Sequence, residues 1–185
     1  MRYSIIRVTA NQVKAVGGLD IKEYPNTGII FATLTEEQVA KLKQLEAQVK
    51  PITEVKAVVM PPPRVITANY TYGASQGSLF SKIYQLRHTF SPPITGRGYT
   101  IAILDSGIRK THRGLTDKII YESNHTTSPT VEDIFRHGTS VAWIAAGGFD
   151  IEGQEQGIAP GANLMNIKVL DDNGIGTTET AVMGI

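Results

Sequence analysis

The chain has 185 residues, 41% of them apolar and 19% charged, and a formal net charge of +1. That is room for one ordinary domain, or a small domain and part of a larger one, with enough apolar side chains for a buried core. The near-neutral charge gives no reason to expect nucleic acid or an anionic membrane as partner. The absence of cysteine excludes disulfides and thiolate zinc sites. The longest apolar run, 141–149, is far short of the roughly 20 residues of a membrane-spanning helix. Arg7 interrupts the N-terminal apolar stretch too early for a signal peptide.

Residues 2–8 alternate as a strand does, and 20–24 and 28–34 read as two more, with a turn at 25–28 between them. A short irregular or helical link joins the first two strands. Thr35 followed by Gln38 has the spacing of a capping box and opens a helix, whose apolar stripe is Val39, Leu42, Leu45 and Val49. Residues 54–60 read as a last strand. This order predicts a small α+β domain of ferredoxin-like type over residues 1–65. Pro61, Pro62 and Pro63 stop it, because a proline run cannot enter a sheet interior. Residues 66–77, rich in Tyr, Gly, Ser and Thr, read as a linker, and 78–185 as a second unit.

The second unit opens with a helix over 78–88, ended by Pro92 and Pro93. Residues 99–104 are apolar and β-prone, as a strand buried on both faces is. Residues 139–146 read as a buried helix, 163–170 as another apolar strand, and 177–185 as the start of a helix. Strand, loop, helix, strand, helix is the rhythm of a parallel α/β sheet.

Two residues stand out for chemistry. Asp105 follows the first apolar strand at once, in Ile103-Leu104-Asp105-Ser106-Gly107-Ile108, and strand carboxyl ends are where α/β proteins build sites. His137 sits ahead of the buried helix, in Arg136-His137-Gly138-Thr139-Ser140-Val141-Ala142, where Gly138 permits a close approach and imidazole can exchange a proton near neutrality. Taken singly, each is better explained by a turn aspartate or a surface histidine. Together, and followed in order by Gly157-Ile158-Ala159-Pro160-Gly161-Ala162 and Ile167-Lys168-Val169-Leu170, they resemble the subtilase family of serine proteases.

The resemblance implies a serine endopeptidase with a subtilisin-like parallel sheet, here only its N-terminal part, acting on protein or peptide substrates. Asp105 would orient His137, and His137 would act as base toward a serine hydroxyl. Leu170 would wall the pocket for the residue preceding the scissile one. Gly174, Ile175 and Gly176 would form the strand that pairs with substrate backbone, though an ordinary turn explains the two glycines equally well. Residues 1–65 would be a propeptide that assists folding and inhibits. Structural calcium is frequent in the family, but no metal or cofactor site is assignable here, and Asp171-Asp172-Asn173-Gly174 reads as a turn. The compartment cannot be read from the sequence, and the resemblance is compatible with secretion. Asn69 and Asn124 match the glycosylation pattern.

The chain also departs from that pattern. The family's nucleophile lies in a later segment, far downstream of the histidine, and Ser140, three residues from His137 and entering a helix, is geometrically unsuited to replace it. Trp143 stands where the family usually has glycine. The chain alone is therefore expected not to hydrolyse peptides. It is read as a fragment, as one piece of a cleaved protease completed by a separate C-terminal part, or as a remnant. The alternative function is a non-catalytic one, a propeptide-like inhibitor or a degenerate subtilase used for binding.

Overall fold

The computed structural model describes residues 1–57, 86–148 and 157–185. The boundary at 61–77, the linker, Asn69 and most of the helix expected over 78–88 lie outside the described residues. The chain divides into two compact units, Met1–Val55 with Gly176–Ile185, and Lys56–Ile175.

The first unit is built on β1 (Arg2–Ile6), α1 (Ala10–Ala15), β2 (Leu19–Tyr24), β3 (Ile29–Thr33), α2 (Glu36–Gln44) and β4 (Gln48–Pro51). The four strands form one antiparallel sheet in the order β2-β3-β1-β4. The link between β1 and β2 is helical because Thr9 and Gln12 form the same reciprocal cap as Thr35 and Gln38. Val13 of α1 and Leu42 of α2 pack with Ile5, Ile30 and Ala32 on one face of the sheet. Each large apolar side chain so buried contributes about 1.5–3 kcal/mol. Phe31 lies between Ile30 and Ala32 in sequence and so points to the opposite face, where its ring meets Tyr24 edge-on at 5.6 Å.

The expected stripe of α2 runs too far. The helix ends at Gln44, Glu46 takes a left-handed φ of 62°, and Val49 lies on β4, paired opposite Ile5. The fourth strand of the sheet is therefore 48–51 and not 54–60. Residues 54–56 instead form β5 (Glu54–Lys56), which pairs with β9 (Ile175–Thr177) in a two-stranded sheet.

The second unit carries a parallel sheet of β6 (Thr100–Asp105), β7 (Ile119–Asn124) and β8 (Asn163–Lys168), in the order β6-β8-β7. This is a mixed α/β fold with a partial parallel sheet. Sequence reading missed β7, a strand whose Ile120 and Tyr121 are exposed. Strand β6 was expected to be buried on both faces, yet Ile103 and Asp105 are buried while Ala102 and Leu104 are exposed. The helix expected at 139–146 is α3 (His137–Ala146), which begins two residues earlier. Ala142 and Ala146 of α3 pack with Ile103, Ile108, Leu115, Ala162 and Leu164. The last helix, α4 (Thr178–Met183), is capped by Thr177 and belongs to the first unit.

Within the first unit, Arg2 holds α4 with a two-pronged ion pair. Its Nε and Nη2 donate to the two carboxylate oxygens of Glu179, each at 2.6 Å. The Arg2 bond, and behind it the positive charge of Lys22, lower the Glu179 carboxyl below its ordinary value of 4.5. A lowered carboxyl contributes stability above its unfolded value and loses it as pH falls through the folded one. Amide-exchange protection of α4 is therefore expected to decline as pH drops below 4.5. Glu179→Gln should show the acid level of protection already at neutral pH, measured by hydrogen exchange and mass spectrometry.

Candidate active site

Asp105 is the last residue of β6, and His137 the first of α3. Both lie in the second unit. The backbone of Asp105 is pinned from the next crossover, since its carbonyl accepts the amides of Val169 at 2.9 Å and Leu170 at 3.1 Å. The first turn of α3 can approach the strand end only because residue 138 is glycine. A Cβ there would lie 2.2 Å from the Gly107 carbonyl oxygen and 3.0 Å from Asp105 Cβ. Gly107 itself has a φ of 105° and leaves no room for a side chain, since its Cβ would sit 2.3 Å from the Val131 carbonyl.

That approach produces a dyad. His137 Nδ1 lies 2.8 Å from Asp105 Oδ1 and 2.9 Å from Oδ2, and both residues are largely buried. An ionised carboxylate only accepts hydrogen bonds, so Nδ1–H donates and Nε2 is left as the basic nitrogen. Asp105 Oδ1 also accepts the Ser106 amide at 2.7 Å, which holds the carboxylate in place. Geometry of this kind prepares Nε2 to take a proton from a hydroxyl.

Among the described residues no serine hydroxyl is engaged with the dyad. Ser140 Oγ donates to the Arg136 carbonyl one turn back, at 2.9 Å. Ser106 Oγ donates to Asp133. Leu170 is buried, with only 6% of its surface exposed. Gly174 has a φ of 75°, Ile175 and Gly176 lie on β9, and Gly174 and Gly176 are buried. The turn before them is tied by Asp171 Oδ1, which accepts the amides of Asn173 and Ile175 at 2.9 Å each. Asp172 Oδ1 lies 3.0 Å from Lys168 Nζ. One carboxylate thus closes the turn and the other is paired to a cation. No group of three or more His, Asp or Glu residues able to hold a metal occurs among the described residues, nor does a helix long and apolar enough to cross a membrane. The Asn124 amide of the second glycosylation pattern is used locally, donating to Ser128 O at 2.7 Å.

Sequence reading missed three groups that shape this site: Ser106, Asp133 and Lys168. All are buried, with Asp133 1% and Lys168 0% exposed. It also left Trp143 without a partner. The structure supplies two. The Trp143 ring packs on His112, centroids 4.9 Å apart, and occupies the space over Gly114 and Gly147. Burial there, followed by the nearby Arg109 charge, pushes the His112 imidazole down.

A parallel α/β sheet that presents an aspartate at a strand end to a histidine at a helix start defines a class, the subtilisin-type hydrolase framework. The comparisons agree. Residues 96–185 match the subtilase family model. The thermostable alkaline protease of Halalkalibacterium halodurans is 31% identical over 180 residues, 96% of this chain and 45% of the relative. Serine protease AprX of Bacillus subtilis is 38% identical over 96 residues, 50% of this chain and 21% of the relative. The chain thus spans less than half the length of either relative. The fold of fervidolysin from Fervidobacterium pennivorans, a keratinolytic enzyme related to subtilisin, covers 99% of this chain and 33% of its own, with a TM-score of 0.62 at 22% identity.

The fit of Trp143 yields a test. A Cβ on Gly114 would lie 1.7 Å from Trp143 Cζ3, so Gly114→Ala should cost about 1–3 kcal/mol through overpacking. In a Trp143→Ala background the same change should cost much less, because the two positions share one space. Denaturant melts of the two single variants and the double variant measure the difference.

Proposed function

We propose that this chain supplies the aspartate and histidine of a serine endopeptidase of subtilisin type, with the nucleophilic serine brought by polypeptide outside residues 1–185. Asp105 orients His137 and stabilises the imidazolium. His137 takes the serine proton through Nε2 and returns it to the leaving amine, so that peptide hydrolysis proceeds through an acyl-enzyme. The observation that carries this reading is the 2.8 Å contact between His137 Nδ1 and Asp105, made inside a segment that matches the subtilase family. The substrate is a protein or peptide. Its backbone pairs with residues 174–176 by strand addition, and Leu170 walls the adjoining pocket.

In the same reading residues 1–65, which contain the antiparallel sheet of residues 2–51, are a ferredoxin-like propeptide, with the processing site in the linker 66–77. The order β2-β3-β1-β4 with two covering helices supports this. So does the pairing of β5 with β9. Ala57 N–H donates to Gly174 O at 2.8 Å, and Thr178 N–H donates to Thr53 O at 3.1 Å. These are bonds of the kind a substrate backbone would make, and they favour inhibition by residues 1–57 as a second property of the chain.

Two measurements test the proposal. The protein that contains these residues and the serine segment should label with a serine-directed phosphonate and cleave casein. His137→Ala should lower kcat on the order of 10^6-fold, the loss subtilisin itself shows. Unchanged turnover in that variant removes the catalytic reading. A peptide of residues 1–57 added to an active subtilisin-like enzyme should inhibit at micromolar concentration, and full residual activity would remove the inhibitory one.

A further inference from the structure

We infer that Asp133, bridged through Ser106, is the positioning residue that sets the distance and orientation of the Asp105–His137 pair. The inference rests on the dyad reading above and adds the group that assembles it.

Helix α3 starts without a normal cap. Its N-cap, Arg136, has a φ of 75° and makes no side-chain cap bond. The first amides of any helix need acceptors from elsewhere. Here the acceptors are distant in sequence or lie upstream of the helix. Asp133 Oδ2 accepts the Thr139 amide at 2.8 Å, Asp133 Oδ1 accepts the Arg136 amide at 2.7 Å, and Ser106 Oγ accepts the Gly138 amide at 3.0 Å. Ser106 then donates its own hydroxyl hydrogen to Asp133 Oδ1 at 2.8 Å.

Residues 136, 138 and 139 bracket His137, and residue 106 adjoins Asp105. One buried carboxylate therefore receives donors from both sides of the dyad while touching neither member. The backbone is doubly fixed, because Lys168 Nζ donates to the carbonyls of Ser106 and of Glu132, the residue before Asp133. Local secondary structure does not require this arrangement, since a serine or aspartate at the N-cap would satisfy the helix alone. What the distant acceptor adds is a link from the helix start to the strand end. An unmade bond at either end would let His137 rotate away from Asp105.

The test uses the 185-residue chain and proton NMR of the His137 Nδ1–H. In the wild type this hydrogen-bonded proton should give a low-field resonance that Asp105→Ala abolishes. A wild type without it defeats the dyad reading, and this inference with it. Asp133→Asn should lose the resonance while circular dichroism and a cooperative melt persist. Ser106→Ala, the milder change, should exchange that proton with water about tenfold faster, the factor one net hydrogen bond represents. It decides the matter alone if Asp133→Asn does not fold. Gly114→Ala, destabilised outside the bridge, should keep the resonance unchanged. A folded Asp133→Asn or Ser106→Ala with wild-type exchange, or a Gly114→Ala that loses the signal as readily, overturns the inference.

Discussion

The site depends on one close approach, that of the α3 first turn to the end of β6. Two backbones meet there with no side chain between them, at Gly107 and Gly138. A methyl group at position 138 would need to share space with a carbonyl oxygen, so the helix would have to withdraw. Withdrawal by even 1 Å would break the bonds between His137 Nδ1 and Asp105, because hydrogen bonds lengthened by that much are no longer bonds. Everything else in the second unit serves that approach. The parallel pairing of β6 with β8 carries Val169 and Leu170 to the Asp105 carbonyl, and the apolar packing of Ala142 and Ala146 presses α3 onto the sheet.

The helix starts among the described residues are made in two different ways. Helices α1, α2 and α4 each open with a threonine whose hydroxyl and third-residue partner satisfy one another. Such a cap is local, and it fixes where a helix starts without fixing what the start faces. Helix α3 has no local cap and borrows acceptors from Asp133 and Ser106. Its first turn therefore forms fully only when the strand end is already in place. The helix that carries the histidine is the one whose start is coupled to the residue after the aspartate.

The same distinction explains what could be read in the sequence. The two motifs around Asp105 and His137 were legible because each contains its own glycine and its own element boundary, and their meeting was what the resemblance to subtilases implied. The strands of the first unit were legible from alternation, and α2 from its Thr35 and Gln38 pair. The end of α2 was not, since Leu42 and Val49 are two helical turns apart and continue the stripe. Only the left-handed Glu46, a residue type that gives no warning of that conformation, breaks it. Strand β7 was missed because half-exposed β-branched residues next to a lysine resemble a loop margin. Asp133 and Lys168 were invisible in principle. The partners that tie them to Ser106 at the strand end are 27 and 62 residues away, and a buried charged residue looks in sequence like an exposed one. The pairing of Trp143 with Gly114 is of the same kind, since the missing side chain of one makes room for the ring of the other.

In the proposed reading, the pairing of β5 with β9 sets a condition on function. A strand edge offers backbone donors and acceptors, and any extended segment of fitting register can use them. A segment of the same chain competes at an effective concentration that no dilution lowers. As long as the chain is continuous from residue 57 onward, a free peptide must displace an intramolecular rival. Once the connection is cut, the same contacts become a bimolecular complex whose occupancy falls with concentration. The difference between a held strand and an available one is then a single peptide bond, with no change needed in any contact that either segment makes.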